Sequence, residues 1–275
     1  MNSEQAVDLP SPAKINLFLH VTSRRTDGYH ELQTVFRKLA FADTVELRLR
    51  RDDCMRMAEP TPGVEPESDL ALRAARLLAS EAGPGVPGVD IRVRKRIPAG
   101  AGLGGGSSNA AAVLKGLCRL WKLDLAPGRL AAIALRLGAD VPFFLDGPDA
   151  WGEGRGERLE SIPLPRAWYV LVCPGIREST ADAFRDPDLR RDAPPISRRD
   201  WLAGKARAEN DFESGFYRRN PCAREIRDAM SRHGRVRLTG TGSVMFIEFR
   251  EISRAREVCT RLASRYNTLV TRSLA

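Results

Sequence analysis

The sequence predicts a two-domain α+β protein, and three observations carry that expectation. Residues 11–21 alternate as a strand and open a half in which strands and helices are mixed. The stretch Pro98-Ala-Gly-Ala-Gly-Leu-Gly-Gly-Gly-Ser-Ser-Asn109 runs straight into an apolar helical pattern. After Leu164 a second pattern follows in the order β-α-β-β-α-β, that of a ferredoxin-like split βαβ unit. A chain of 275 residues accommodates two domains, expected at 1–160 and 161–275.

In the first half, Ala13, Ile15, Leu17, Leu19 and Val21 point one way and Lys14, Asn16, Phe18 and His20 the other, as in a strand with one core face. Thr26-Asp27-Gly28-Tyr29-His30 reads as a turn. Val45, Leu47 and Leu49 mark a strand over Thr44–Leu49, and Ser68 is the candidate cap of a helix from Asp69 to Ala79. Val89, Ile91, Val93 and Ile97 alternate with Asp90, Arg92, Arg94 and Arg96 in a strand that ends at Pro98. The helix after the glycine loop is expected from Ala110 to Trp121, and the next, over 128–137, stops at Gly138. In the second half, strands are expected at Trp168–Cys173, Arg235–Thr239, Ser243–Phe249 and Thr268–Thr271. Helices are expected at 208–217, 221–232 and 253–264, with Pro221 in a first turn. No internal repeat occurs.

Composition narrows the class of function. Apolar residues at 43% and charged residues at 29% fit a soluble globular chain. No apolar run reaches the ~18 residues of a membrane span, and the polar, acidic Met1–Asp8 stretch does not read as a signal peptide. The five cysteines are scattered, odd in number and without a CxxC, which reads as reduced thiols in a cytoplasmic protein. The three histidines lie far apart, with no metal-ligand spacing. The net charge of +9 invites a nucleic-acid reading, but the densest basic region, Arg185 to Arg207, lacks interleaved aromatics and any base-reading motif. An anionic small substrate accounts for the charge as well, so neither a nucleic-acid nor a membrane partner is expected.

The glycine stretch contains a formal GxGxxG at Gly100, Gly102 and Gly105. A dinucleotide fold also needs an acid at the end of a second strand ~20 residues on, and Asp124 at that distance lies between two helices. No Gly-Lys-Ser/Thr follows, which excludes the Walker pattern. What remains is a phosphate cradle: glycines adopt positive φ and let a ligand come close, and the following helix aims its unpaired N–H groups at it. Local pattern alone makes Lys14 and Asn16 a solvated pair on an exposed sheet face, although Phe18 on that face points to cover. Asp140, after Leu137-Gly-Ala139, is either a loop residue or a carboxylate able to accept a proton from a substrate hydroxyl. Tyr29 and His30 serve packing or a ligand. Phe184 lies in an otherwise polar loop with little core to join, and either anchors that loop or stacks on a ligand. Thr239-Gly-Thr-Gly242 is a plain hairpin turn or a second backbone wall for an anion.

Together these segments resemble the GHMP small-molecule kinases. Three motifs occur in order: Pro12-Ala-Lys-Ile-Asn-Leu17, the loop Pro98 to Asn109, and Arg237-Leu-Thr-Gly-Thr-Gly242. Supporting runs are Arg25-Thr-Asp-Gly-Tyr-His-Glu-Leu-Gln-Thr34, Leu137-Gly-Ala-Asp-Val-Pro-Phe143, Phe184-Arg-Asp-Pro-Asp-Leu189 and Asn210-Asp-Phe-Glu213. The resemblance implies a GHMP kinase two-domain fold, its N-terminal domain like ribosomal protein S5 domain 2 and its C-terminal domain ferredoxin-like. It implies transfer of the ATP γ-phosphoryl group, with Mg²⁺, to the C2 hydroxyl of a cytidine diphosphate-linked methylerythritol. Asp140 then corresponds to the general base and Lys14 to its electrostatic partner. Lys95, Pro98, Ala99, Gly100, Ala101, Gly102, Leu103, Gly104, Gly105, Gly106, Ser107 and Ser108 correspond to the ATP site. Asn16, Tyr29, His30, Phe184 and Thr241 correspond to the acceptor site, with the aromatic groups around cytosine. The motifs assign no metal ligands.

Overall fold

The computed structural model describes residues 6–62, 64–147, 149–206 and 208–274; Arg207, at the end of the basic region, and residues 1–5 lie outside them. The chain forms two compact units. One takes in the chain up to Ala13 together with Phe41–Ala99 and Gly104–Gly147; the other takes in Lys14–Ala40, Gly100–Leu103 and the chain after Gly147. Strands β1 (Ala6–Arg24) and β2 (His30–Leu49) are long enough to supply residues to both.

In the first unit β2 pairs antiparallel with β4 (Val89–Arg94), Thr44 opposite Arg94 and Leu49 opposite Val89, and the short β3 (Met55–Met57) runs parallel to β4. Helices α1 (Leu70–Ala82), α2 (Gly105–Leu120) and α3 (Pro127–Leu137) pack on one another. α1 buries Ala71, Leu72, Ala75 and Leu78, the three- and four-residue spacing of a helix face. α2 buries Ala110, Ala111 and Ala112, and at Gly116 an added Cβ would meet the ends of Leu47 and Leu9. Small side chains let this helix lie close to the strands.

In the second unit β2 pairs with β5 (Asp149–Gly154), Leu32 opposite Gly154 and Arg37 opposite Asp149, and β5 pairs with β6 (Arg158–Ser161). Strands β7 (Trp168–Val172), β8 (Val236–Leu238), β9 (Met245–Phe249) and β10 (Thr268–Arg272) form an antiparallel sheet in the order β10-β7-β9-β8. That is the strand order of a ferredoxin-like unit. Between β7 and β8 come α4 (Thr180–Arg185), α5 (Arg198–Leu202), α6 (Glu213–Arg219) and α7 (Pro221–Ser231); α8 (Ile252–Ala263) follows β9 and packs on the sheet. Its core joins Val170, Met245 and Ile247 of the sheet to Phe212, Phe216, Met230, Val258 and Leu262, with Leu19 and Val21 of β1.

Several expectations change. β1 is buried on both faces: Lys14, Asn16, Phe18 and His20 are buried along with Ile15 and Val21. Phe18 is covered by Trp151 and by Trp201 of α5, ring centroids 5.4 and 5.7 Å away. β2 begins at His30 rather than Thr44, and β5 and β6 are additional strands. β4 stops at Arg94 because Arg96 and Ile97 turn their N–H groups to the Asp43 carboxylate instead of a neighbouring strand. α2 begins five residues early, inside the glycine loop, and α6 begins only at Glu213. The cap of α1 is Asp69, whose Oδ1 accepts from Ala71 N–H at 2.8 Å, while Ser68 ends a short 3-10 turn.

This last correction is testable by thermal or urea unfolding. Asp69→Ala is expected to cost about 1–2 kcal/mol, because it strips the first turn of its acceptor. Ser68→Ala, at an exposed position, is expected to stay within about 0.5 kcal/mol of the parent.

Candidate active site

In the second unit, the polar face of β1 is organised by the Asn16 amide. Its Oδ1 accepts from Lys14 Nζ at 2.6 Å and from Gly240 N–H at 3.0 Å, and its Nδ2 donates to Thr34 Oγ1 at 2.9 Å. The Asn16 backbone N–H donates to Thr239 Oγ1 at 3.0 Å. Lys14 and Asn16 are 4% and 2% exposed, so this is a buried polar arrangement and not a solvated pair. Burial of an ammonium demands such partners. Phe36 adds its ring face 5.6 Å from Lys14 Nζ.

The first half of the glycine loop is pinned to the same elements. The Leu103 carbonyl accepts from Lys14 N–H at 2.9 Å, that of Ala101 from Val244 N–H at 3.2 Å, and that of Gly102 from Thr239 Oγ1 at 3.2 Å. Gly100, Gly102 and Gly104 all have positive φ, at 66°, 76° and 69°. At Gly102 a Cβ would strike the Thr239 carbonyl and come within 2.9 Å of the Gly242 oxygen. The Thr239–Gly242 segment is thus both the β8–β9 connection and the wall against which the loop lies. Thr241 is buried beside Thr180, their hydroxyl oxygens 3.4 Å apart.

The second half of the loop belongs to the first unit. Gly104 is the N-cap of α2 in the left-handed region and contributes no side-chain cap. Gly105, Gly106 and Ser107 then form the first turn, whose N–H groups have no intrahelical acceptors by geometry. Beneath that turn lies a network that sequence reasoning missed. The fully buried Asp43 accepts from Arg96 N–H at 2.7 Å, Ile97 N–H at 2.8 Å and Asn109 Nδ2 at 3.1 Å, and pairs with Lys95 Nζ. Asn109 also donates to Ser11 Oγ at 2.8 Å, and Ser11 donates to Ser108 Oγ at 2.9 Å. One carboxylate therefore holds the chain entering the loop and, through Asn109, the chain leaving it. The only sequence signal was an acid placed between Ala42 and a strand pattern. In this unit Asp140 sits half-buried in the turn after α3, past the Gly138 cap and before the buried Phe143 and Phe144.

The expected acceptor residues lie in the second unit. The His30 and Phe184 rings stack with centroids 5.0 Å apart and planes at 26°, and Phe184 meets Phe212 edge-on at 4.8 Å. Phe184 is thus in a short helix at the margin of the core, not in a loop without one. Tyr29 is 56% exposed, with the Arg155 guanidinium 4.8 Å from its ring centre. Pro98, Ala99 and Gly100 are exposed, while Ala101 and Leu103 are buried. Among the described residues no three His, Cys, Asp or Glu side chains converge as a metal cage, no helix is long and apolar enough to cross a membrane, and all five cysteines are free thiols.

The positive-φ glycines run directly into an uncapped helix, and the stretch that holds them lies in a segment that matches a known family. Residues 69–148 match the GHMP kinases N terminal domain and residues 194–268 the GHMP kinases C terminal domain. The chain belongs to the GHMP kinase family. It is 50% identical over 254 residues to the 4-diphosphocytidyl-2-C-methyl-D-erythritol kinase of Xanthomonas oryzae pv. oryzae, covering 92% of this chain and 85% of that one. The enzyme of the same name from Halorhodospira halophila is 47% identical over 268 residues, covering 96% and 92%. A crystal structure of 4-(cytidine 5'-diphospho)-2C-methyl-D-erythritol kinase superposes with a TM-score of 0.83 at 35% identity, covering 97% of this chain and 99% of that one. Homoserine kinase from Cytophaga hutchinsonii, at 15% identity and a TM-score of 0.73, shares the fold.

The Asp43 network sets an energetic expectation. Asp43→Ala leaves the Lys95 ammonium and two backbone N–H groups without their common acceptor, and is expected to lower unfolding stability by about 3 kcal/mol. Asp43→Asn, which keeps one acceptor oxygen, is expected to lose less. Chemical denaturation of both variants checks the order.

Proposed function

We propose that this chain transfers the γ-phosphoryl group of ATP to the C2 hydroxyl of 4-diphosphocytidyl-2-C-methyl-D-erythritol, a step in non-mevalonate isoprenoid precursor synthesis, in the cytoplasm. The observation that carries the reading is the run of positive-φ glycines that leads directly into the uncapped start of α2, in a chain about half identical to kinases of that name. ATP phosphates take the first-turn N–H groups of α2 and the loop backbone, where the helix dipole favours negative charge. Mg²⁺ enters as part of the MgATP substrate, since a hard cation of this kind keeps waters and phosphate ligands rather than needing a protein cage. The family's domains are assigned to residues 1–160 and 161–275.

In the chemical step Asp140 takes the proton of the attacking hydroxyl, and the Lys14 ammonium stabilises the developing alkoxide. Phosphoryl transfer asks the protein for positioning and charge neutralisation more than for covalent chemistry. Lys14 suits that role because Asn16 fixes its ammonium at 2.6 Å on a buried face. Lys95 marks the adenine end of the ATP site. Asn16 and Thr241 border the acceptor, and Tyr29, His30 and Phe184 recognise its cytosine. Other GHMP kinases share the loop; the stacked His30–Phe184 pair favours an acceptor with an aromatic base over homoserine, mevalonate or galactose. A phosphorylation assay with those four acceptors and MgATP tests the reading, and turnover of one of the three small acceptors in preference to the cytidyl substrate would replace it.

Two variants test the roles. Asp140→Asn is expected to lower kcat by about 10²-fold or more while leaving ATP affinity within a few-fold. A folded variant with near-normal turnover removes Asp140 from the mechanism. Gly102→Ala forces a Cβ into the Thr239 carbonyl at a φ of 76°. It is expected to raise KM for ATP about tenfold or more through displacement of the loop, with a smaller change in KM for the cytidyl substrate.

A further inference from the structure

Within the basic segment that sequence reading left without a role, Arg191 makes four directed contacts, all in the second unit. Nη2 donates to the carbonyls of Phe184 and Asp186, each at 2.8 Å, Nη1 donates to the Leu189 carbonyl at 3.0 Å, and Nε donates to His30 Nε2 at 3.3 Å. A guanidinium is a planar fork with donors only. It gathers the carbonyls at the end of α4, where cations are favoured, and reaches across to the one imidazole that stacks on Phe184. The same turn is held from its other side. The Asp186 carboxylate accepts from Arg218 Nη2 at 2.6 Å and pairs with Arg219.

We propose that Arg191 is the positioning residue of the nucleobase pocket: it holds the His30 ring through Nε2 and the Phe184 ring through its carbonyl, in the single arrangement on which a pyrimidine ring stacks. The proposal rests on the reading that His30 and Phe184 recognise cytosine. Because Arg191 can only donate, His30 Nε2 must be the acceptor, so the ring is neutral and carries its hydrogen on Nδ1. The environment agrees. Burial, Arg191 and then Arg24 all hold the His30 pKa below its ordinary 6.5. Neutrality matters for the contact itself: a proton on Nε2 would set two donors against each other and open the clamp. Arg191 touches no reacting atom in this scheme and acts through His30 and Phe184.

The test uses the full chain and its Arg191→Ala, Arg191→Lys, His30→Ala and Phe184→Ala variants. Calorimetric titration with cytidine 5'-diphosphate and, separately, ATP is combined with a proton NMR titration of the His30 ring, one of only three histidines. Arg191→Ala is expected to weaken cytidine diphosphate binding by about tenfold or more. ATP affinity should stay within about twofold, and the His30 titration midpoint should rise toward the ordinary value. Arg191→Lys, which keeps the charge but loses the fork, is expected to restore the low midpoint in part and less of the binding. If Arg191→Ala melts under the assay conditions, Arg191→Lys supplies the same comparison. Unchanged cytidine diphosphate affinity with an unchanged His30 midpoint overturns the proposal. So does an equal loss for both nucleotides, which marks a purely structural clamp. The underlying reading fails separately: His30→Ala and Phe184→Ala would then leave cytidine diphosphate binding unaltered whatever Arg191 does.

Discussion

The second unit depends on one constraint: β1 carries polar side chains on a face that folding buries. An ammonium and a carboxamide two residues apart, Lys14 and Asn16, are costly to leave without partners in a low-dielectric interior. Asn16 resolves the problem for its neighbours. Its amide joins β1 to β2 through Thr34 and to the β8–β9 connection through Gly240, and it holds Lys14 in place. Three segments far apart in sequence therefore have to meet at one residue. The glycine loop is drawn to the same place because Thr239 and the Lys14 backbone take its carbonyls.

The first unit solves an analogous problem with a charge. Asp43 is buried among a lysine, a carboxamide and two backbone N–H groups, and by holding them it closes the base of the loop. The Arg191 fork plays a comparable part at the end of α4. In all three cases a group with several donors or acceptors sits behind a side chain or loop assigned to ligand binding, and orients it. Stability and the proposed function are then coupled. The hydrogen bonds that satisfy buried polar groups also set the positions of the Lys14 ammonium, the glycine loop and the His30 ring, the groups proposed to meet ligands.

Much of this was legible in the chain, for reasons that particular residues make plain. α1, α3, α7 and α8 are amphipathic with a clear polar face, and the strands β7, β9 and β10 are short apolar runs between turn residues. Their order alone yields the ferredoxin-like pattern. The first half of β2 was missed because Arg37 and Lys38 break its apolar alternation, yet both are buried, with Arg37 bonded to Tyr169 and the Pro165 carbonyl. β5 was hidden by Gly152 and Gly154, which read as loop, although a Cβ at Gly152 would strike the Phe36 ring. The start of α2 is not visible in sequence because three glycines precede Ser107, and glycine is a poor helix former whose cost here is met by tertiary contacts.

The candidate site divides along the same line. Local sequence was enough for the fold class, the left-handed backbone of the glycine loop and the motifs that resemble a GHMP kinase, because periodicity, glycine freedom and motif order are local properties. Only the tertiary structure decided that Lys14 and Asn16 are buried rather than solvated, that Phe184 borders a core and stacks on His30, and that Asp43 and Arg191 hold the elements around them. Burial and hydrogen-bond partnership are set by residues distant in sequence. A local pattern shows which side chains need partners, but the partners themselves are supplied by segments brought together only when the chain folds.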